Sequence, residues 1–238
     1  MKYLMDSKLY LVPSPLGDCP VENVIPSIVY PSIAHVKHFA VENVRTVRRY
    51  LSSLGFRGRI DELSFYEVSE HSTREDVEAV FRILERGEDM ALISEAGLPA
   101  VADPGAYLVE LAHNHDIEVV PFVGPSSLMM ALMSSGLNGQ CFAFAGYIPV
   151  KSMERRKKIK ELESRSSRNN ETEIMIETPY RNDALFADIL AVCSDSTRVC
   201  IAADITSPTQ YIRTKRVGEW KKKPTVISKR PCVFLILA

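Results

Sequence analysis

Five short apolar runs alternate with helical patterns in the first half of this chain, and that alternation constrains the fold more than any other feature. The runs are KLYLV (8–12), HFAV (38–41), LSFYEV (63–68), MALIS (90–94) and EVVPF (118–122). Between them apolar residues recur at helical spacing: Val44, Val47, Tyr50, Leu51 and Leu54 after Asn43, then Val77, Val80, Phe81 and Leu84 after Ser72 or Thr73. Asn43 and Ser72 or Thr73 stand where N-caps belong, Glu75 or Asp76 fall in a first turn, and Gly55 is placed to end a helix. Residues 24–35 read as helix with a break forced at Pro31, and 104–114 and 125–135 read as two further helices. Strands that are apolar on both faces and separated by helices pair in parallel beneath helical layers.

The second half repeats the pattern less regularly. CFAFAGYIP (141–149) precedes a charged helix opening at VKSMERRKKIKELE, followed by TEIMIET (172–178), a helix over 183–193, RVCIAAD (198–204), QYIRTKRV (210–217) and PCVFLILA (231–238). More strands than helices imply an α/β or α+β domain with some antiparallel pairing. The expected organisation is two α/β domains, 1–118 and 119–238. Charge divides along similar lines: residues 1–150 carry 11 Lys/Arg against 19 Asp/Glu, and residues 151–238 carry 18 against 11. A basic second half suits a polyanion such as RNA, or simply a solvated surface and mutual docking of the halves. Five scattered cysteines with no C-x-x-C pair argue against a disulfide framework or a zinc site. No run approaches the ~20 apolar residues of a membrane span. MKYLMDSKLYLVPSP lacks the apolar region and small-residue cleavage site of a leader. The expected location is the cytoplasm, with no membrane partner.

Ligands of parallel sheets sit at the carboxyl ends of strands. Loops rich in Gly and Pro follow three strands here: VPSPLGD (12–18), SEAGLPAVADPG (94–105) and PFVGPSS (121–127); IETPYR (176–181) follows another. One such loop would mean little, but three converging in one domain imply a ligand cleft. The chain has no phosphate-binding P-loop, no dinucleotide G-x-G-x-x-G, no nucleophile elbow and no H-E-x-x-H. His113 and His115 fall on different faces of a helix and read as surface residues, and His71 sits in a loop from which it could reach a cleft. Met129, Met130 and Met133 read as core filler. Ser126 and Ser127 fit a helix start whose free N–H groups could also hold a carboxylate. Asp103, ahead of Pro104, reads as a helix cap.

LYLVPSPLGD, ALISEAGLPAVADPG, VVPFVGPSSLMMALMSSGL, FAFAGYIP and IETPYR fall in the order and spacing of the tetrapyrrole (corrin/porphyrin) methylase superfamily. Its ribosomal branch, the 16S rRNA cytidine 2′-O-methyltransferases, is the part this chain most resembles, as a divergent member. The resemblance implies a two-domain fold, the first sheet mostly parallel and the second mixed, and an enzyme using S-adenosylmethionine held in a cleft between domains. It also implies a homodimer. Cofactor contacts carried over from it are Pro13, Ser94, Glu95, Ala96, Gly97, Leu98, Val101, Asp103, Ser126, Ser127 and Tyr147, largely through backbone groups; no metal is implied. Several acceptor-facing positions depart from the branch. Glu42-Asn43-Val44-Arg45 stands for Glu-Asp-Thr-Arg, Tyr66-Glu67-Val68-Ser69 for a His/Asn-rich stretch, and Glu95-Ala96-Gly97-Leu98-Pro99 for Asp-Ala-Gly-Thr-Pro. Pro231-Cys232 replaces a Gly-Glu pair, while Glu177 and Arg181 keep part of a Tyr-Glu-Ser-x-x-Arg segment.

The reaction implied is in-line transfer from a sulfonium, in which the protein positions the acceptor and can take its proton. Glu42, Glu67, Glu95, Asp103 and Glu177 are the acids available for that. Glu42 and Glu177 each end an apolar strand, where burial raises a carboxyl pKa. Glu42 is the favoured base, with Glu177 as the other candidate and Arg45 and Arg181 as phosphate or carboxylate contacts. Three functions stay open: methylation of RNA, methylation of a tetrapyrrole or other small molecule, and a non-catalytic cofactor-binding module.

Overall fold

A computed structural model describes residues 7–238, so residues 1–6, part of the stretch read for a leader, lie outside the described residues. The chain divides into two compact units, one ending at Ser126 and the other running Ser127–Ala238.

The first unit runs β1 (Lys8–Val12), α1 (Val29–Ile33), β2 (His38–Val41), α2 (Val44–Leu51), β3 (Ser64–Glu67), α3 (Arg74–Glu85), β4 (Met90–Ile93), α4 (Ala106–Asn114) and β5 (Glu118–Pro121). The strands lie in the order β3-β2-β4-β1-β5, every pair parallel. Because β5 pairs with β1 from Lys8↔Glu118 to Leu11↔Pro121, the domain boundary expected at 118/119 moves past this strand to Ser126.

Strand alternation sends successive side chains to opposite faces. Tyr10, Val12, Phe39, Val41, Ala91 and Ile93 pack with Val29 and Ile33 of α1 and Val47 and Leu51 of α2. Leu9, Ala40, Met90 and Leu92 pack on the other face with Val77, Phe81 and Leu84 of α3 and Leu108 and Ala112 of α4. The chain therefore leaves β1 along one face toward β2, and leaves the adjacent β4 along the opposite face toward β5. Their carboxyl ends diverge, which opens a crevice at a topological switch point.

Local signals account for the starts of α2 and α3. Asn43 accepts the Thr46 N–H (3.1 Å), and Thr73 and Asp76 form a reciprocal capping box. Two expectations need correcting. The helix expected over 24–35 is confined to α1, and Pro31 sits inside its first turn, where the missing N–H costs no intrahelical bond. Asp103 is not a cap: Gly105 occupies the N-cap of α4 with φ 117°, and no side chain bonds there.

The second unit comprises α5 (Ser127–Ser135), β6 (Phe142–Tyr147), α6 (Ser152–Asn169), β7 (Thr172–Ile176), α7 (Asn182–Val192), β8 (Arg198–Ala203), β9 (Tyr211–Arg216), α8 (Val217–Lys222) and β10 (Cys232–Leu237). Its mixed sheet has the order β6-β7-β10-β8-β9, with β6–β7 parallel and the other pairs antiparallel. All six residues of β10 are buried. Trp220, fully buried, donates its indole N–H to the Val199 carbonyl (3.0 Å) and meets Phe186 edge-on.

Part of the basic run on α6 is structural. Arg155 is buried and, with Arg156, donates to the buried Asp188 carboxylate (2.7 and 2.6 Å). Burial alone would raise the Asp188 carboxyl, but hydrogen bonds from Arg156, Arg155 and Ser152 outweigh it and hold the pKa below its usual range. Met129 and Met133, expected in the core, are exposed instead. Among the described residues, no helix is long and apolar enough to cross a membrane.

Candidate functional site

The switch crevice is built from backbone before any side chain enters it. Beyond β1, Ser14 exchanges both backbone hydrogen bonds with Gly97 in the loop after β4: Ser14 N–H to the Gly97 carbonyl (2.8 Å) and Gly97 N–H to the Ser14 carbonyl (3.0 Å). The Ser14 hydroxyl donates to the Ser94 carbonyl (2.8 Å), and both serines are buried. Tyr50, on α2, donates its phenol O–H to the Pro13 carbonyl (2.6 Å), and burial pushes that phenol pKa up. The β5 loop closes on the same proline. A Cβ at Gly124 would lie 2.1 Å from the Pro13 Cβ, so only glycine permits this approach. Three loops are thus locked together around Pro13 and Ser14.

The 94–105 loop carries unusual backbone. Gly97 (φ 78°) and Gly105 (φ 117°) take left-handed conformations open to glycine, but Ala100 (φ 64°) and Ala102 (φ 61°) do so with side chains present. Each such alanine costs on the order of 1–2 kcal/mol, strain that persists only where surrounding structure imposes it. Successive turns of this kind direct backbone N–H groups toward a common concavity.

Three carboxylates meet at the crevice. Glu42, just past β2, accepts the Glu95 backbone N–H (3.3 Å), and the Glu95 carboxylate accepts the Thr46 hydroxyl (3.2 Å). Burial raises the Glu42 pKa, an effect opposed by the Glu95 amide and reinforced by the charges of Glu95 and Glu70. Asp103, half-buried, is pushed up to about 6 by burial first and then by the Glu42 charge, with the Ser94 hydroxyl opposing and Glu95 adding. The crevice therefore concentrates carboxylate charge and favours a positively charged guest. Among the described residues, no group of three or more His, Cys, Asp or Glu is arranged to hold a metal ion. Beside the crevice, a cleft of about 530 Å³ is lined by Leu16, Gly17, Asp18, Thr46, Arg49 and Glu95, among others.

Pro13, Ser94, Glu95, Ala96, Gly97, Leu98, Val101, Asp103 and Glu42 all lie on loops at the carboxyl edge of the first sheet. Arg45 is exposed in the first turn of α2. Ser126 closes the first unit; Ser127 opens α5, and Tyr147, exposed, ends β6. Glu177 follows β7 and is buried. One of its oxygens accepts the Arg181 Nε (2.9 Å) and Nη2 (2.5 Å) and the Thr178 N–H (2.7 Å). That oxygen supports the guanidinium, while the other, also buried, has no hydrogen-bond partner. Ser14 and Gly124 lay inside loops that drew attention for their Gly and Pro content, yet neither could be assigned a partner from sequence. Tyr50 gave no local signal, since its partner is 37 residues away.

Residues 33–221 match the family of tetrapyrrole (corrin/porphyrin) methylases. A protein from Escherichia coli O157:H7 named ribosomal RNA small subunit methyltransferase I is 29% identical, across 96% of this chain and 77% of its own length. Its namesake from Neisseria meningitidis serogroup B is 33% identical, across 89% and 68%. Among solved structures, diphthine synthase superposes with a TM-score of 0.66 at 17% identity, covering 98% of this chain and 90% of that one. The methyltransferase CobJ gives 0.63 at 14% identity, covering 97% and 92%. These two likenesses bear on the fold alone.

Proposed function

Because the chain belongs to the tetrapyrrole (corrin/porphyrin) methylase family, we propose that it transfers a methyl group from S-adenosylmethionine to a ribose 2′-hydroxyl of small-subunit ribosomal RNA. The observation that carries the reading is the acid-lined backbone crevice between β1 and β4. Its donor set suits the cofactor. Carboxylates at Glu42, Glu95 and Asp103 offset a sulfonium and an ammonium, while N–H groups of the 94–105 loop can hold a carboxylate. Bound there, the cofactor supplies an electrophilic methyl group.

The residues of this chain do the rest. Pro13, Ser94, Ala96, Gly97, Leu98 and Val101 shape the loop walls, and Ser127 and Tyr147 keep the cofactor-binding role that the family resemblance gives them. Glu42, whose carboxyl burial makes more basic, accepts the proton of the acceptor hydroxyl as it attacks. Arg45 and the cleft at Leu16, Arg49 and Glu95 receive the nucleotide around that hydroxyl. The basic second half, a homodimeric assembly and a cytoplasmic place of action belong to the same proposal; light scattering tests the assembly.

Tritium transfer from labelled cofactor tests the function directly. Label in small-subunit rRNA is the expected outcome, and label confined to a small-molecule extract would overturn it. The cleft volume lies in the range of small-molecule sites, about 300–1,000 Å³, and so favours a small acceptor as the second reading. S-adenosylhomocysteine binding by calorimetry without transfer to any acceptor would mark a cofactor-binding module.

A further inference from the structure

The loop after β7 carries groups that the cofactor crevice does not use. Tyr180 is 80% exposed, more than any other aromatic side chain given as exposed among the described residues. Beside it, Arg181 is held in place rather than free. The fully covered Glu177 carboxylate accepts both Nε and Nη2 of the guanidinium on a single oxygen, leaving Nη1 uncommitted to that pair. Backbone pins the turn: Thr178 N–H donates to Glu177, and Arg181 N–H to the Thr178 carbonyl (2.9 Å).

A second loop is strapped onto the first. Lys229 N–H donates to the Pro179 carbonyl (2.9 Å), and the buried Asn182 amide donates to the Arg230 carbonyl (2.6 Å). Lys229 is exposed and takes φ 63°, a left-handed conformation that a lysine adopts only under constraint. Of the neighbouring acids, Asp204 is paired with Arg230, while Asp183 is exposed and accepts the Ile227 N–H through one oxygen. What remains outward is an aromatic face flanked by two cations on a rigid double loop.

We propose that Tyr180, Arg181 and Lys229 form a grip for unpaired RNA, in which Tyr180 stacks on one base and Arg181 and Lys229 contact the flanking phosphates. Glu177 is then a positioning residue that sets the Arg181 guanidinium. Exposed aromatics beside fixed cations are the general means of holding single strands without reading sequence, and each stacked base contributes a several-fold to hundredfold gain in affinity. The inference rests on an RNA acceptor as proposed above and adds the surface that holds it.

The test uses the full chain with S-adenosylhomocysteine bound and an unpaired rRNA oligonucleotide carrying 2-aminopurine, whose fluorescence falls on stacking. Tyr180→Ala should weaken binding about tenfold and abolish the quench, and Tyr180→Phe should restore both. In a separate turnover assay with S-adenosylmethionine, Arg181→Lys should raise KM for RNA with kcat little changed, and Glu177→Gln should do the same with cofactor affinity intact. A collapse of kcat at constant KM in Glu177→Gln would make it a base and overturn the positioning role. Unchanged quench and affinity in Tyr180→Ala, an exposed position that cannot fail through misfolding, would overturn the grip while wild-type methylation of RNA still stood. If the wild type labels no RNA at all, the functional reading fails instead, and the two failures are distinguishable.

Discussion

Replacing Asp103 with Asn should stabilise the first unit at neutral pH and not in acid. The carboxyl moves from 3.8 to about 6 in the folded protein, roughly two units, and each unit corresponds to about 1.4 kcal/mol. That gives a ceiling of about 3 kcal/mol. Asp103 is only half-buried, so solvent screening reduces the realistic effect to about 1 kcal/mol. The sign follows from linkage. A raised carboxyl pKa means the folded state binds the proton more tightly than the unfolded one. The stability it contributes is fully present below pH 3.8 and is lost as pH rises through about 6. Asn carries no such proton, so the advantage of Asp103→Asn over wild type should be near zero at pH 3.5, grow between pH 4 and 6.5, and level off by pH 7.5. Urea unfolding at a series of pH values measures this. Trp220, the single tryptophan, lies in the second unit, so the transition should be followed by far-UV circular dichroism or by amide exchange in β4. A Glu42→Gln background should flatten the curve without abolishing it, because burial is the larger cause and the Glu42 charge the next. A difference independent of pH, or one that grows toward acid, would refute the account of the carboxylate cluster.

Gly124→Ala places a methyl 2.1 Å from the Pro13 ring; a loss of about 3 kcal/mol in urea unfolding is expected, with weaker S-adenosylhomocysteine binding in calorimetry. Tyr50→Phe removes the donor to the Pro13 carbonyl, which should cost about 1–2 kcal/mol by the same unfolding assay. Asp188→Asn leaves Arg155 buried without its counter-charge, and Trp220 fluorescence should report a loss of about 3–5 kcal/mol for the second unit. Glu161→Gln, at the exposed pair with Lys158, should leave the same unfolding midpoint essentially unchanged.

Features set by neighbours in sequence were legible before any coordinates. Asn43 and Thr73 cap their helices because a short polar side chain needs only the next three residues to do so. The parallel order of the first sheet follows from apolar runs separated by helices. Asp103 shows where local grammar fails. An Asp before Pro has the composition of a cap, but Gly105 takes the cap, and the carboxyl answers to burial and to Glu42, a residue 61 positions earlier. The placement of Pro31 went astray for a related reason: whether a proline breaks a helix depends on where the helix starts, and residues 24–28 do not supply that start. Glu177 was one candidate base from its position at a strand end, and its pairing with Arg181, four residues on, is a contact that short-range reasoning could have found.

The position of β10 has a consequence for how the chain is made. The first sheet needs nothing beyond β5, so the amino-terminal half can complete its sheet while the rest is still being synthesised. The second cannot. β7 and β8 each hydrogen-bond to β10 and not to one another, so until residues 232–237 emerge, the strands already made exist as two separate pairs with open, apolar edges. Translation thus leaves the second half unfinished for longer than any other part of the molecule. In that interval the nascent chain depends on whatever shields exposed strands from one another on a crowded ribosome.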